Sequence, residues 1–497
     1  MLYAINSSYV RSDHPATGRA SLGCLPSWLS SRSSPIGSKL DIGFRTGLTQ
    51  RAASATAVID AEFFEFAGCP RHLGCFCFLQ YDFCHDRAKL CFWQEISSLG
   101  TLVTAPCARP CCNGCMNYET IPADFSERPY IVIWEVTQAC DLACVHCRAC
   151  AQPKRNPFEL STDDGKRLID EIAQMEVPVF VLTGGDPIKR PDLFELIGHA
   201  QRCGVRVSLT PSATPLLTRE VVHRLKDSGL ARLAVSLDGS NREAHDAFRG
   251  MAGSFDRTMA AIAWANEIGL PVQINTTFSR RNIEDFDAIA ALLECEQITL
   301  WSVFFLVPTG RGKLNDLLSA EEFESTFGKL HQLSQRSSFH IKTTEAQHYR
   351  RYVLQQQVAQ RRIGGQVSHE TAKVEDNIGR APRGLNDGKG FVFVSHKGEV
   401  FPSGFLPFSA GNVRSDSLSR IYRESSVFQQ LRDPSQLGGK CGACEFRHIC
   451  GGSRARAYAI TGDPLAQEPC CVYIPQGYVP IVLPSTKAGS PNELHVL

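Results

Sequence analysis

From Met116 onward the chain alternates between short apolar runs and longer stretches with apolar residues on one helical face. The short runs are 130–136 (YIVIWEV), 178–183 (PVFVLT), 205–210 (VRVSLT), 231–237 (ARLAVSL), 271–277 (PVQINTT) and 298–307 (ITLWSVFFLV). Each is apolar or β-branched, as expected of parallel strands covered on both faces. Between them, STDDGKRLIDEIAQM sets Leu168, Ile169, Ile172 and Met175 at helical spacing behind a Ser161/Thr162 cap. DLFELIGHAQRCG, TREVVHRLKDSG and SFDRTMAAIAWANEIG close on Gly204, Gly229 and Gly269, each in the place of a C-capping glycine. NIEDFDAIAALLE completes the set. Consecutive β/α units with right-handed crossovers predict an α/β fold, a partial (β/α)6 TIM-like barrel with an open side, because six units are too few for the closed eight-unit form.

The rest of the chain reads differently. Residues 345–390 are polar, basic and punctuated by glycine, which predicts one helix and then a mobile loop. GFVFVSHKGEVFPSGF predicts a hairpin turning at Lys397–Gly398. Residues 1–115 hold ten cysteines without regular spacing and show poor periodicity. Residues 1–55 carry only Asp13 and Asp41 as acids, a composition that an organelle transit peptide shares. The simpler expectation is that Met116 is the true start and 1–115 a mis-called, poorly structured extension. Mass spectrometry of the natural N-terminus decides this, and peptides from 20–100 would refute it. The expected organisation is 1–115 extension, 116–315 barrel, 316–385 helix and linker, 386–475 a small C-terminal α+β domain, and 476–497 tail.

Net charge is +1, which gives no reason to expect nucleic acid or an anionic membrane as partner. No apolar stretch approaches the roughly 18–20 residues needed to span a bilayer, and no secretory signal is evident, so a cytoplasmic location is expected. In that setting 21 cysteines point away from disulfides and towards metal or cluster binding.

Cys140, Cys144 and Cys147 stand in C-x3-C-x2-C spacing after the first strand. Loops at strand C-termini form the active face of a parallel barrel. Three thiolates on one loop can hold a [4Fe–4S] cube and leave its fourth iron open, as catalysis requires. A tetrahedral zinc ion is the competing reading, with Cys150 or His146 as fourth ligand.

This motif, in this β/α chain, resembles the radical S-adenosylmethionine (SAM) enzymes over roughly residues 125–475. The resemblance implies reductive cleavage of SAM to a 5′-deoxyadenosyl radical that abstracts hydrogen from a substrate carbon. It also implies a low-potential electron donor such as flavodoxin or ferredoxin. Gly184, Gly185 and Asp186 of GGDP stand where the family carries GGEP, facing the methionine amino group; Asp186 is one carbon shorter than the usual glutamate. Ser236 of SLDG and Arg249 of HDAFRG are implied contacts to the SAM carboxylate or ribose, Asn275 and Thr277 to ribose, and Val307, Pro308 and His146 to adenine. Taken singly, the glycines could be an ordinary βα turn and Arg249 a surface charge. Cys150 is most simply a nearby free thiol.

CGACEFRHICGGSRARAYAITGDPLAQEPCCVYIP (441–475) resembles the SPASM/twitch auxiliary-cluster domain. Full SPASM domains carry more cysteines and a second cluster. Here Ser403 and Arg454 stand where relatives place cysteine. The resemblance therefore implies one auxiliary [4Fe–4S] cluster on Cys441, Cys444, Cys450 and a late cysteine, Cys471 in preference to Cys470, with zinc as the alternative. Arg454 and Arg456 are either a solvated helix face or partners of substrate carboxylates.

WEVTQACDLACVHCRA and CGGSRARAYAITGD look most like the haem-related branch of the family. The expected reaction is radical modification of a tetrapyrrole side chain, such as oxidative decarboxylation. Maturation of a ribosomally made peptide is the alternative, disfavoured because no peptide-recognition winged helix is evident. A non-catalytic zinc or iron–sulfur scaffold, or an electron carrier, is the alternative of another class.

Overall fold

The computed structural model describes residues 124–362 and 384–479, together with a backbone pairing of Glu95–Ile96 with Leu102–Val103. The chain divides into two compact units, Met1–Tyr118 and Glu119–Leu497. The expectations for 1–115, for the mobile loop (363–383) and for most of the 476–497 tail fall outside the described residues.

Apart from the two-residue strand Asn386–Asp387, which pairs parallel with Gly390–Phe391, the strands of the second unit in chain order are β1 (Ile131–Glu135), β2 (Val179–Thr183), β3 (Val207–Leu209), β4 (Arg232–Ser236), β5 (Val272–Phe278), β6 (Leu300–Phe305), β7 (His340–Thr344), β8 (Gly390–Val394), β9 (Glu399–Phe401) and β10 (Gly411–Asn412). They form one sheet in the order β10-β9-β8-β1-β2-β3-β4-β5-β6-β7. β8 and β1 to β7 are all mutually parallel. The hairpin of β8 with antiparallel β9 turns through Lys397 and Gly398.

Six of these strands coincide with the apolar runs, and the helices between them follow the caps. α1 (Thr162–Gln174) starts at Ser161 with a reciprocal capping box to Asp164. α2 (Leu193–Arg202), α3 (Arg219–Asp227) and α5 (Ser254–Glu267) run out into Gly204, Gly229 and Gly269, all at positive φ. α4 (Arg242–Arg249) carries the HDAFR segment, and α6 (Phe286–Glu294) follows β5.

Two features depart from the expected organisation. The segment 316–385 is more than helix and linker. α7 (Ala320–Arg336) leads into β7, a seventh parallel strand, before α8 (Tyr349–Arg362). The C-terminal part also does not stand apart from the barrel. Its first strand, β8, is hydrogen-bonded beside β1, with Phe391 opposite Ile131 and Val394 opposite Trp134.

The apolar core lies between the sheet and its outer helices, around Trp134, Phe180, Leu182, Val235, Ile274 and Trp301. The inner face is different. β5 alternates strictly, with Val272, Ile274, Thr276 and Phe278 buried and Gln273, Asn275 and Thr277 half-buried. Those half-buried positions face cavities enclosed by the barrel. The strands are therefore packed on one face and hollow on the other, which corrects the expectation of full cover on both. No helix among the described residues is long and apolar enough to cross a membrane.

Candidate active site

The loop after β1 is pinned at both ends. Cys140 N donates to Gln152 O (2.7 Å) and Gln152 N to Gln138 O (3.1 Å). The loop is also held from outside by a residue the sequence reading did not single out. Arg311 donates from its backbone N to Cys147 O (2.9 Å) and from Nε to Cys144 O (2.8 Å). Its only sequence signal is the glycine-flanked TGRG turn after β6.

Cys140, Cys144 and Cys147 all line a cavity of about 200 Å³ at the C-terminal ends of the strands. Cys140 Sγ lies 3.3 Å from Ser212 Oγ and accepts from Leu142 N (3.3 Å). Burial pushes the Cys140 and Cys144 thiols up, so a bound metal is needed to hold them as thiolates at neutral pH. Three donors closing on one ion must crowd together. Among the described residues, the His, Cys, Asp or Glu group whose ligand atoms all lie within 4.8 Å is Asp170–His199–Cys203, on the outer helices. The loop thiols are set wider than that, as a multi-iron cluster requires. Cys150 is exposed and lies outside the cavity.

The same cavity collects His146, Gly184, Gly185, Ser236, Arg249, Asn275, Thr277 and Val307. His146 packs on Phe248 with ring centroids 4.6 Å apart. Burial, with Arg249 and Arg311 nearby, lowers its pKa well below the usual value and keeps the ring neutral. Its Nδ1 is buried without a hydrogen-bond partner among the described residues, an orphan that a ligand in the cavity can satisfy.

Gly184 and Gly185 are required by the protein itself. A Cβ on Gly184 would stand 2.4 Å from Thr137 O, and one on Gly185 2.4 Å from Ala139 O. The end of β2 therefore lies directly against the start of the cysteine loop. Asp186 and Pro308 are placed otherwise than expected, since neither lines the cavity. The Asp186 carboxylate is buried and accepts from Thr214 Oγ1 (2.9 Å) and Ile188 N (3.2 Å). Its short side chain ends in a local turn rather than reaching the cavity.

The SLDG and HDAFRG segments meet through residues that the sequence reading left without a role. Asp238 Oδ2 accepts from Arg249 Nη1 (3.1 Å) and Asp238 Oδ1 from Thr277 N (2.7 Å). Asp238 N donates to His245 Nδ1 (3.1 Å). Gly250, at φ +67, ends α4 where a Cβ would meet Ala143 O at 2.7 Å. Arg249 is thereby fixed beside the cysteine loop.

A larger cavity, about 480 Å³, occupies the barrel interior and shares Arg148, Thr183, Asn275, Phe304 and Phe405 with the first. Arg148 donates to Glu135 Oε2 (2.7 Å) and lies 4.5 Å over Phe393.

The second cysteine set surrounds a small cavity of about 20 Å³, lined by Cys441, Cys444, Cys450 and Cys471. Cys470 points away, with its Sγ 3.7 Å from Leu318 O. Burial pushes Cys444 up to about 11 and Cys450 to about 12, so these thiols too need a metal to ionise. Neither expectation for Arg454 and Arg456 holds, because both are buried at the start of the helix Arg454–Thr461, here α9. Arg454 Nη1 donates to Pro464 O and Ala466 O, and Nη2 lies 3.9 Å from Cys441 Sγ. Arg456 pairs with Glu468. At the position where the sequence comparison expected a cysteine, Arg454 instead ties the backbone around this second set.

Comparison with known proteins agrees with this arrangement. Residues 134–293 match the profile of the Radical SAM superfamily. Over 347 residues the chain is 43% identical to the AdoMet-dependent heme synthase of Methanosarcina barkeri, covering 70% of this chain and 97% of that one. It is 32% identical over 355 residues to the mycofactocin maturase MftC of Mycobacterium tuberculosis, covering 70% and 83%. In fold it is similar to Streptococcus suis SuiB bound to S-adenosylmethionine, with a TM-score of 0.54, 16% identity, and 70% and 78% of the two chains covered.

Proposed function

The chain belongs to the radical SAM superfamily of enzymes, and on that premise we propose that it converts propionate side chains of a haem precursor by oxidative decarboxylation. Membership sets aside the reading of a non-catalytic scaffold. The observation that carries the proposal is the 43% identity across nearly the whole of a protein named as a heme synthase. The cavity of about 480 Å³ beside the SAM-site residues supports it, being within the roughly 300–1,000 Å³ usual for small-molecule sites.

When bound, a [4Fe–4S] cluster with one uncommitted iron and SAM supply a carbon radical able to take hydrogen from an unactivated C–H bond. Cys140, Cys144 and Cys147 would hold that cluster. Ser236, Arg249, Asn275 and Thr277 would orient SAM, with His146 and Val307 against its adenine. Cys441, Cys444, Cys450 and Cys471, which line the second small cavity, would hold one auxiliary [4Fe–4S] cluster.

For each propionate, the CH2–CH2–COO⁻ arm becomes a vinyl group with loss of one hydrogen atom, CO2 and one electron. An electron acceptor is therefore needed as well as a low-potential donor of the flavodoxin or ferredoxin class. The test is anaerobic incubation of purified protein with iron coproporphyrin, SAM and dithionite. The expected product is lighter by CO2 and two hydrogens per converted arm. Unchanged porphyrin, with 5′-deoxyadenosine formed only from SAM turnover, would refute the substrate. Maturation of a ribosomally made peptide is the second reading, favoured by the 32% identity to the mycofactocin maturase.

A further inference from the structure

Helices α1 and α2 meet on the outside of the barrel through rungs of polar side chains. Thr162 Oγ1 donates to Asp192 Oδ2 (2.7 Å), and one turn further along Lys166 Nζ pairs with Glu195 Oε1 (2.6 Å). The next rung brings together three side chains rather than two. Asp170 Oδ1 lies 2.7 Å from His199 Nε2 and 3.4 Å from Cys203 Sγ, and Sγ lies 3.7 Å from Nε2. A rung that only tied two helices would have no use for the thiol.

The sequence builds this group simply. His199 and Cys203 are four residues apart, so they stand one above the other on the same helical face. Cys203 closes the last turn, with its N donating to His199 O (3.1 Å), and its side chain packs against the apolar core. Asp170 meets both from α1. All three residues are half-buried, backed by the core and open to solvent in front. None of them lines either cysteine cavity.

A tetrahedral zinc ion bonded to one sulfur, one imidazole nitrogen and one carboxylate oxygen sets those donors roughly 3.3–3.6 Å apart. The two edges that meet at Cys203 Sγ, 3.4 and 3.7 Å, are already close to that length. The third edge is a hydrogen bond and has to open by about 0.6 Å, which a half-exposed aspartate can do by rotating.

We propose that Asp170, His199 and Cys203 bind a zinc ion, which clasps α1 to α2 behind the first two β/α units and keeps a fourth position for water. Thiolate, imidazole and carboxylate together are a donor set for zinc, whereas magnesium or calcium would find only one oxygen ligand side chain here. Burial and the Asp170 carboxylate push the Cys203 thiol up, so in the absence of an ion it keeps its proton at neutral pH. On binding, that proton leaves to solvent, and His199 coordinates through Nε2 with its ring proton on Nδ1. The site is independent of the substrate of the enzyme.

The test is addition of zinc to the purified, cluster-loaded protein after adventitious metal has been removed with a mild chelator. Zinc K-edge X-ray absorption and iron analysis are made on the same sample. One zinc per chain should bind without loss of iron, with one sulfur neighbour at about 2.3 Å and nitrogen or oxygen for the rest. Cys203→Ser and His199→Gln should each weaken binding, read against a competing fluorescent chelator, by more than the roughly 10–100-fold typical of losing a residue behind a ligand. Zinc should raise the denaturation midpoint of the wild type and not that of Cys203→Ser. Unchanged iron content reports that each variant is folded. Zinc that several sulfurs surround, or that displaces iron, would belong to the cluster cysteines and would overturn the site. Less than stoichiometric binding, or variants that bind as wild type, would overturn it equally.

Discussion

Arg456 and Glu468 form a fully buried ion pair, Nε to Oε1 at 2.9 Å, joining α9 to the segment that carries Cys471. Glu468 Oε2 also accepts from Ser453 N (2.7 Å), and Glu468 N donates to Cys441 Sγ (3.2 Å). Glu468, through its carboxylate and its backbone N–H, thus joins three chain segments around the second cysteine set. Burial works against its charge, yet Arg456 and His348 hold it down at about 2. Breaking such a pair from one side leaves an uncompensated charge and costs about 3–5 kcal/mol. Glu468→Ala should therefore lower the denaturation midpoint and lose auxiliary iron first. Because the folded carboxyl lies below its ordinary 4.5, the stabilisation is complete above that value and fades as pH falls towards about 2. The stability gap between wild type and Glu468→Gln should shrink over that window, as urea titrations at successive pH values would measure.

The two cysteine sets should prove separable. Cys144→Ala removes a thiol from the cavity that also holds His146 and Arg249, and should abolish 5′-deoxyadenosine formation. Cys444→Ala should keep SAM cleavage but form no modified product. Iron analysis, electron paramagnetic resonance and chromatography of the nucleoside on both variants make the check. Cleavage surviving in Cys144→Ala would refute the assignment.

His146 should act on SAM binding rather than on the chemical step. Loss of one aromatic contact is worth about 0.5–1.5 kcal/mol, or roughly two- to tenfold in affinity. His146→Ala should raise the SAM KM by that factor and leave kcat nearly unchanged, as initial rates across SAM concentration would show. A collapse of kcat with unchanged KM would contradict the placement against adenine.

Gly185→Ala tests the contact between β2 and the cysteine loop. The added Cβ would stand 2.4 Å from Ala139 O, and neither backbone can yield cheaply. The variant should retain auxiliary iron yet fail to assemble the first cluster, giving about half the wild-type iron and absorbance. Wild-type iron content would show that the loop can move aside.

Much of this was readable because local signals agreed with one another. Ser161 and Asp164 cap α1 reciprocally, and Gly204, Gly229 and Gly269 end helices at positive φ, so the β/α alternation announced itself. The first three thiols were singled out by their spacing, and the residues at strand ends by the family resemblance. β7 was not readable, because HIKTT has no apolar run: His340, Lys342 and Thr344 face a hollow rather than a packed core. A strand that lines a cavity loses the pattern by which strands are recognised. Arg454 and Arg456 misled for another reason. Their partners, the carbonyls of Pro464 and Ala466 and the carboxylate of Glu468, lie beyond the end of the helix, and nothing in RARAY indicates burial. Asp186 was placed by analogy with a longer side chain, whereas its own length commits it to Thr214 and Ile188.

The seat of β8 beside β1 has a consequence for biogenesis. The strand that delivers the first cysteine loop gains its outer neighbour only from residues some 260 positions downstream, since Phe391 pairs with Ile131. A nascent chain paused after α6 would leave β1 as a bare edge, with its thiols unsupported. Iron loading at Cys140, Cys144 and Cys147 is therefore expected only once Gly390–Val394 has been made and has paired with β1. For the same reason a truncation before Gly390 would not yield a working catalytic half.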